Sequence, residues 1–224
     1  MRKTISFVKL DFLTVKPYLT LKNLFLLVVV CVFVSWGNSS SSMVVGMVMM
    51  FGATYVSYPF AVGEQNGIDS LYASLPITHD TVVRGRYLFT IAVNLCAALL
   101  AFSTMLFASA LFKKAFSLHE TLLIVVITFF VFALVQAFQL PIYFKLGYSK
   151  AKFVAYIPLF CFPAIVLLLS SALERFNGVE AAMLIFEWIF THQAASAIIC
   201  FALVSCGLYF SHLLSLKYYK KREF

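Results

Sequence analysis

The chain has 224 residues, 62% of them hydrophobic and 12% charged, with a formal net charge of +8. Soluble domains carry about 25% charged and about 45–50% apolar residues, so no water-soluble fold of this length could hide so much apolar surface. That excludes a sizeable soluble domain. It also turns the positive charge from a nucleic-acid signal into a topology signal, because basic residues gather on the cytoplasmic side of membrane proteins.

Residues 1–19 are basic and amphipathic. Ile5, Val8, Phe12 and Val15 recur at helical spacing with Lys3, Lys9 and Lys16 between them, and Pro17 ends or kinks the run. The pattern predicts a helix lying in the plane of the inner leaflet; the alternative is an ordinary positive flank to the first span. The stretch from Arg2 to Lys22 is too long and too charged for the n-region of a cleavable signal.

A spanning helix needs about 20 mostly apolar residues, at 1.5 Å each across a core of about 30 Å. Six segments qualify. The first begins between Leu19 and Asn23, ends at Trp36, and is short enough that Lys22 must snorkel. Asn38 to Ser42 forms a minimal outer hairpin. The second is Met43–Val62, the third Tyr87–Phe112, the fourth Thr121–Phe144, the fifth Phe153–Leu173, and the sixth Gln193 to about Leu214. An even number of spans puts both termini on one side. If that side is cytoplasmic, only Lys113, Lys114 and Arg175 of the 17 Lys and Arg lie outside. The expectation is therefore a multi-pass membrane protein with both ends inside and a basic tail at 215–224.

Two further segments are not spans. Residues 178–190 are apolar but too short to cross, and Glu187 interrupts them; they are either re-entrant or an extension of the sixth helix. Residues 63–86, between spans two and three, read as helix, break, helix. Asn66 is a good N-cap with Asp69 three residues on. Ile68, Leu71, Tyr72 and Leu75 make one apolar face, and Pro76 ends the helix. Thr78 caps a second helix with Asp80 in its first turn, which runs through Val82 and Val83 into the third span. Acid-bearing and apolar on one face, the first helix suits a protein groove better than an anionic leaflet.

The pattern Glu64-x-x-Gly67, Leu71, Leu75-Pro76-Ile77 and Val83-x-Gly85-Arg86 resembles the coupling-helix region of type-2 ABC exporter permeases. The short, loop-poor layout is most similar to permeases of bacterial peptide exporters such as the phenol-soluble modulin exporter. Asn66-Gly67-Ile68 departs from the more charged, Arg-rich run of many relatives. The resemblance implies an all-α integral membrane protein with six transmembrane helices, an N-terminal interfacial helix and a cytoplasmic coupling helix. It implies docking of a cytoplasmic ABC ATPase on Glu64, Asn66, Gly67, Ile68, Asp69, Leu71, Tyr72, Leu75 and Pro76, and a second permease copy or paralogue. The implied activity is ATP-driven export of an amphipathic or hydrophobic molecule, with peptides among the substrates.

No G-x-x-x-x-G-K-[ST] motif occurs, so nucleotide chemistry, with its ATP and Mg, falls to a separate subunit. Neither the 5 cysteines nor the 4 histidines show metal-ligand or catalytic spacing, and no cofactor and no enzyme activity are expected in this chain. Polar residues inside spans, Thr54, Ser57, Tyr58, Asn94, Gln136 and Gln139, are either a translocation path or interhelical hydrogen bonds. Two other classes of function remain open on sequence: an ion-driven secondary carrier, disfavoured because no charged residue lies within spans two to six, and a non-transporting immunity or scaffold subunit.

Overall fold

The structure is a computed structural model that describes residues 2–36, 41–68, 77–113, 117–157, 168, 171 and 191–221. Among the described residues all regular structure is helical, in seven helices. These are α1 (Arg2–Val15), α2 (Leu21–Trp36), α3 (Ser41–Gln65), α4 (His79–Phe112), α5 (Leu118–Leu146), α6 (residues 148–157) and α7 (Gln193–Lys220). Four of them, α3, α4, α5 and α7, are long and apolar enough to cross a bilayer. At 16 residues α2 is about 24 Å long, short of a hydrocarbon core of about 30 Å. The larger part of the fifth predicted span, with Pro158 and Pro163, and all of 178–190 lie outside the described residues.

Helix boundaries follow local chemistry. Thr78 is the N-cap of α4, where the sequence placed it: its side chain accepts from the Thr81 N–H at 3.3 Å, and Asp80 sits in the first turn. Ser117 caps α5 in the same way, accepting from Glu120 N–H at 3.4 Å. The α3 helix stops where the Asn66 N–H closes its last turn on Val62 O and Gly67 turns left-handed at φ 61°. A side chain with a Cβ resists that conformation, and glycine does not.

Close contacts fix how the spans run. Helices α3 and α4 are antiparallel: the Arg86 guanidinium lies over the Phe60 ring, and further along a Cβ built at Gly52 would stand 2.7 Å from that of Ala97. Gly52 therefore serves close packing, whereas Gly46 faces open space. Helices α5 and α7 run parallel, since Ala137 bonds to Ser211 and, further toward both C-termini, Phe144 meets Tyr219. Trp36, where the first predicted span ends, is exposed with its ring 6.2 Å from that of Phe112, at the far end of α4. One apolar core joins α2, α3, α4 and α5 around Cys31, Val45, Met49, Ala101 and Val125. Met43 and Met50 point outward, so the methionines of α3 divide between core and lipid-facing surface.

The N-terminal helix differs from its expected orientation. The stripe that packs on the bundle is Phe7, Asp11 and Val15, at i, i+4 and i+8, and all three are buried. Of the predicted stripe, Val15 and the partly buried Val8 pack on the bundle, the exposed Phe12 meets the Phe89 ring edge-on, and Ile5 is exposed. Both faces of α1 carry apolar residues, so periodicity alone could not choose between them.

Candidate functional site

One end of the bundle gathers the ends of six helices: α1, the C-termini of α3, α5 and α7, and the N-termini of α4 and α6. An apolar cluster holds it together, built from Phe7, Val56, Val83, Tyr87, Leu140 and Phe144, with Ile68 and Ile77 packed against it. These last two residues flank the 69–76 segment. Set into and around this cluster are three polar connections.

The first is an ion pair between α1 and α4. Arg86 Nη1 lies 3.2 Å from Asp11 Oδ1, and the two residues are 3% and 1% exposed. The guanidinium also lies 4.7 Å from the centroid of Phe60 on α3 and 5.7 Å from that of Phe7 on α1. Arginine suits the place because its planar, weakly hydrated cation stacks on a ring and pairs with a carboxylate at once. Gly85 lets α1 come this near: a Cβ there would overlap the Phe7 ring.

The second joins α3 to α6. Glu64 Oε2 accepts hydrogen bonds from the backbone N–H groups of Tyr148 and, at 3.1 Å, Ser149. These are orphan donors at the first turn of a helix, and a carboxylate there also meets the positive end of the helix dipole.

The third joins α4, α5 and α7. Tyr87 Oη meets Ser211 Oγ and, at 2.8 Å, Ser215 Oγ, while Ser211 donates to Ala137 O. A hydroxyl donates once, so the consistent assignment runs Ser215 to Tyr87 to Ser211 to the Ala137 carbonyl. Nearby, Asp80 pairs with Arg84 at 2.7 Å on the surface and lies 3.8 Å from His212 Nε2.

A family model described as ABC-2 family transporter protein matches residues 6–220. The chain belongs to the ABC-2 family of transporter proteins. It is thus a membrane-embedded permease of the ABC-2 type. No match was found among curated proteins or among solved structures.

Of the permease's predicted docking residues, Glu64, Asn66, Gly67 and Ile68 are described, and Asp69, Leu71, Tyr72, Leu75 and Pro76 lie outside the described residues. Glu64 caps α6, Asn66 and Gly67 end α3, and Ile68 turns its side chain toward the permease's own cluster. The residues considered for a path divide into groups. Asn94 and Gln136 meet, each amide donating to the other's carbonyl oxygen, with Gln136 Nε2 at 2.9 Å from Asn94 Oδ1. Thr54 and Ser57 donate to backbone carbonyls of their own helix, at Phe51 and Thr54. Tyr58 stacks on Tyr55 and meets the tilted ring of Tyr18, and Gln139 is buried one turn from Gln136.

Sequence reasoning missed Asp11, the buried role of Arg86, and the Tyr87–Ser211–Ser215 chain. Asp11 carried a readable signal, as the single acid in a basic amphipathic segment. Ser211 and Ser215 carried another, as hydroxyls at i, i+4 on one face of the last helix. Among the described residues no group of His, Cys, Asp or Glu could hold a metal ion.

Proposed function

We propose that this permease is the membrane-spanning subunit of an ATP-driven exporter powered by a separate cytoplasmic ABC ATPase, which docks on residues 63–86. The observation that carries the reading is the anchoring of that segment at both ends. Glu64 before it bonds to α6, and Arg86 after it pairs with α1 and stacks on α3. A push delivered between those points reaches four helices directly. Leu71, Tyr72 and Leu75 are the docking face that the sequence pattern implies, while Ile68, read as part of the same face, packs on the permease's own cluster.

Six spans, with both termini cytoplasmic, fit this arrangement. Helices α5 and α7 run the same way and end on the same side, which supports one further crossing between them. The 34 residues of α4 measure about 51 Å, so about 20 Å extends beyond the hydrocarbon core, and its N-terminus carries the charged residues. ATP and Mg belong to the partner, and this chain has no catalytic role of its own. A second permease copy or paralogue would complete the path. The substrate is amphipathic or hydrophobic, with peptides favoured by likeness to modulin-type exporters.

Co-expression with a candidate ABC ATPase, followed by co-purification and ATP-dependent efflux from vesicles, tests the reading. Leu71→Asp and Tyr72→Asp should abolish association while leaving the permease in the membrane. Undiminished association would refute the docking face, and efflux without any ATPase would refute the energy source.

A further inference from the structure

A cavity of about 770 Å³ lies between α1, α2, α3 and α4, on the side of α1 that faces away from the Asp11–Arg86 pair. Its walls are apolar: Phe12 and Leu13 from α1, Leu27 from α2, Phe51 from α3, and Val93 and Ala97 from α4. The exceptions at its edge are Lys9 and Lys16, both exposed and seven residues apart, so on one face of α1. No acidic residue lines it. None of Thr54, Ser57, Tyr58, Asn94, Gln136 and Gln139 reaches it either, which separates it from the residues considered for a substrate path.

The depth is informative. Along α4 the lining runs from Phe89 to Leu100, eleven residue steps or about 16 Å. Half of a hydrocarbon core of about 30 Å is about 15 Å, so the crevice is one leaflet deep. Its cations stand at the end where α1 packs on the N-terminal part of α4, which is headgroup level. An apolar slot of leaflet depth below two unpaired-sign positive charges complements an acyl chain joined to an anionic headgroup, and it repels a cationic peptide.

We propose that this crevice binds one anionic phospholipid, with an acyl chain between Phe51 and Val93 and the headgroup phosphate between Lys9 and Lys16. Assignment to the inner leaflet rests on the cytoplasmic placement of α1 proposed above; binding itself does not. Such a lipid would brace α1 against α2 and add to the packing of Val15 on Tyr55 that joins α1 to α3.

The test is native mass spectrometry of the full-length permease, released from micelles doped with equal phosphatidylglycerol and phosphatidylcholine. One phosphatidylglycerol should be retained per chain. A lysine near an anionic surface contributes about fivefold, so Lys9→Gln with Lys16→Gln should lower the preference by about 25-fold. Lys220→Gln with Lys221→Gln, equal in charge but away from the crevice, should leave it unchanged. Val93→Phe with Cys96→Trp should lose the retained lipid with both lysines in place. Equal retention of the two lipids by the wild type would overturn the proposal. So would an effect of the tail lysines as large as that of Lys9 and Lys16. Stoichiometric displacement of the lipid by an amphipathic peptide would make the crevice a substrate site and overturn the lipid assignment. Should the filled variant fail to fold, the paired lysine variants still decide.

Discussion

Removing the Asp11 charge should destabilise the permease more than any surface charge change. At 3.2 Å and an effective dielectric of about 20, the Coulomb attraction to Arg86 is about 5 kcal/mol before desolvation is counted. Desolvation offsets much of this in the intact pair, but not in Asp11→Asn, which leaves a buried guanidinium without its counter-charge. Breaking a buried pair from one side costs about 3–5 kcal/mol. For a chain of this length that corresponds to a fall of about 6–12 °C at the low end of that cost. Stacking on Phe60 retains part of the cation's stabilisation, so the lower end is expected. The exposed Asp80–Arg84 pair is the internal control: Asp80→Asn should cost about 0.5 kcal/mol or less. The measurement is loss of monodisperse protein on heating in detergent, followed by gel filtration, for Asp11→Asn, Arg86→Met and the double variant. The single costs should not add, because the second change removes the charge that the first one orphaned. Replacing both with Leu and Met should return most of the stability. Additive costs, or an Asp11→Asn variant melting within 1 °C of wild type, a bound far below the expected shift, would refute the reasoning.

Three further outcomes follow from the same contacts. Glu64→Ala should speed hydrogen exchange at the Tyr148 and Ser149 amides and cost about 1 kcal/mol, while Glu64→Gln, which keeps an acceptor, should do less. Gly85→Ala should cost about 1–3 kcal/mol by driving a methyl into the Phe7 ring, and Phe7→Leu should relieve part of it; unaltered melting of Gly85→Ala would contradict the close approach of α1. Asn94→Leu leaves the Gln136 amide buried and unpaired and should cost about 1–3 kcal/mol, whereas Asn94→Leu with Gln136→Leu should come back close to wild type. Normal efflux from that double variant would place the pair in packing, and lost efflux at normal stability would place it on the substrate path.

Helix positions were legible because the membrane makes length and polarity decisive. α3 and α5 begin and end within three residues of the predicted spans, while α4 starts eight residues before its span, where Thr78 and Asp80 say it should, and α7 runs about six residues beyond its own. The interruption between the second and third predicted spans was legible as a break in hydropathy, and its residues 69–76 lie outside the described residues. What joins the helices was less so. Glu64 reads in sequence as an acid of the docking segment, and only the fold reveals that it accepts from donors 84 and 85 residues away. Arg86 reads as a topology charge just outside a span, yet α4 begins seven residues earlier and carries it into contact with α1. In α1 the 3.6-residue period fits two apolar stripes. The choice between them is made by Gly85 and Arg86 on another helix, one admitting the Phe7 ring and the other pairing with Asp11.

The contrast between the two charged connections bears on how motion would travel if the ATPase docks as we propose. Glu64 reaches α6 through exposed hydrogen bonds, which water can replace at little cost, so that joint can open and close during a cycle. The Arg86 joint is buried, stacked on Phe60 and held by Asp11, and separating it would strand charge in an apolar cluster. A displacement of the 69–76 segment should therefore carry α1, α4 and the Phe60 end of α3 as one body while α6 yields. On this account a disulfide locking residue 64 to residue 148 would stop ATP-driven efflux, whereas one locking residue 11 to residue 86 would permit it. Cross-linking both pairs in the assembled exporter, with efflux measured before and after reduction, separates a rigid joint from a moving one, and the opposite pattern would sink the assignment.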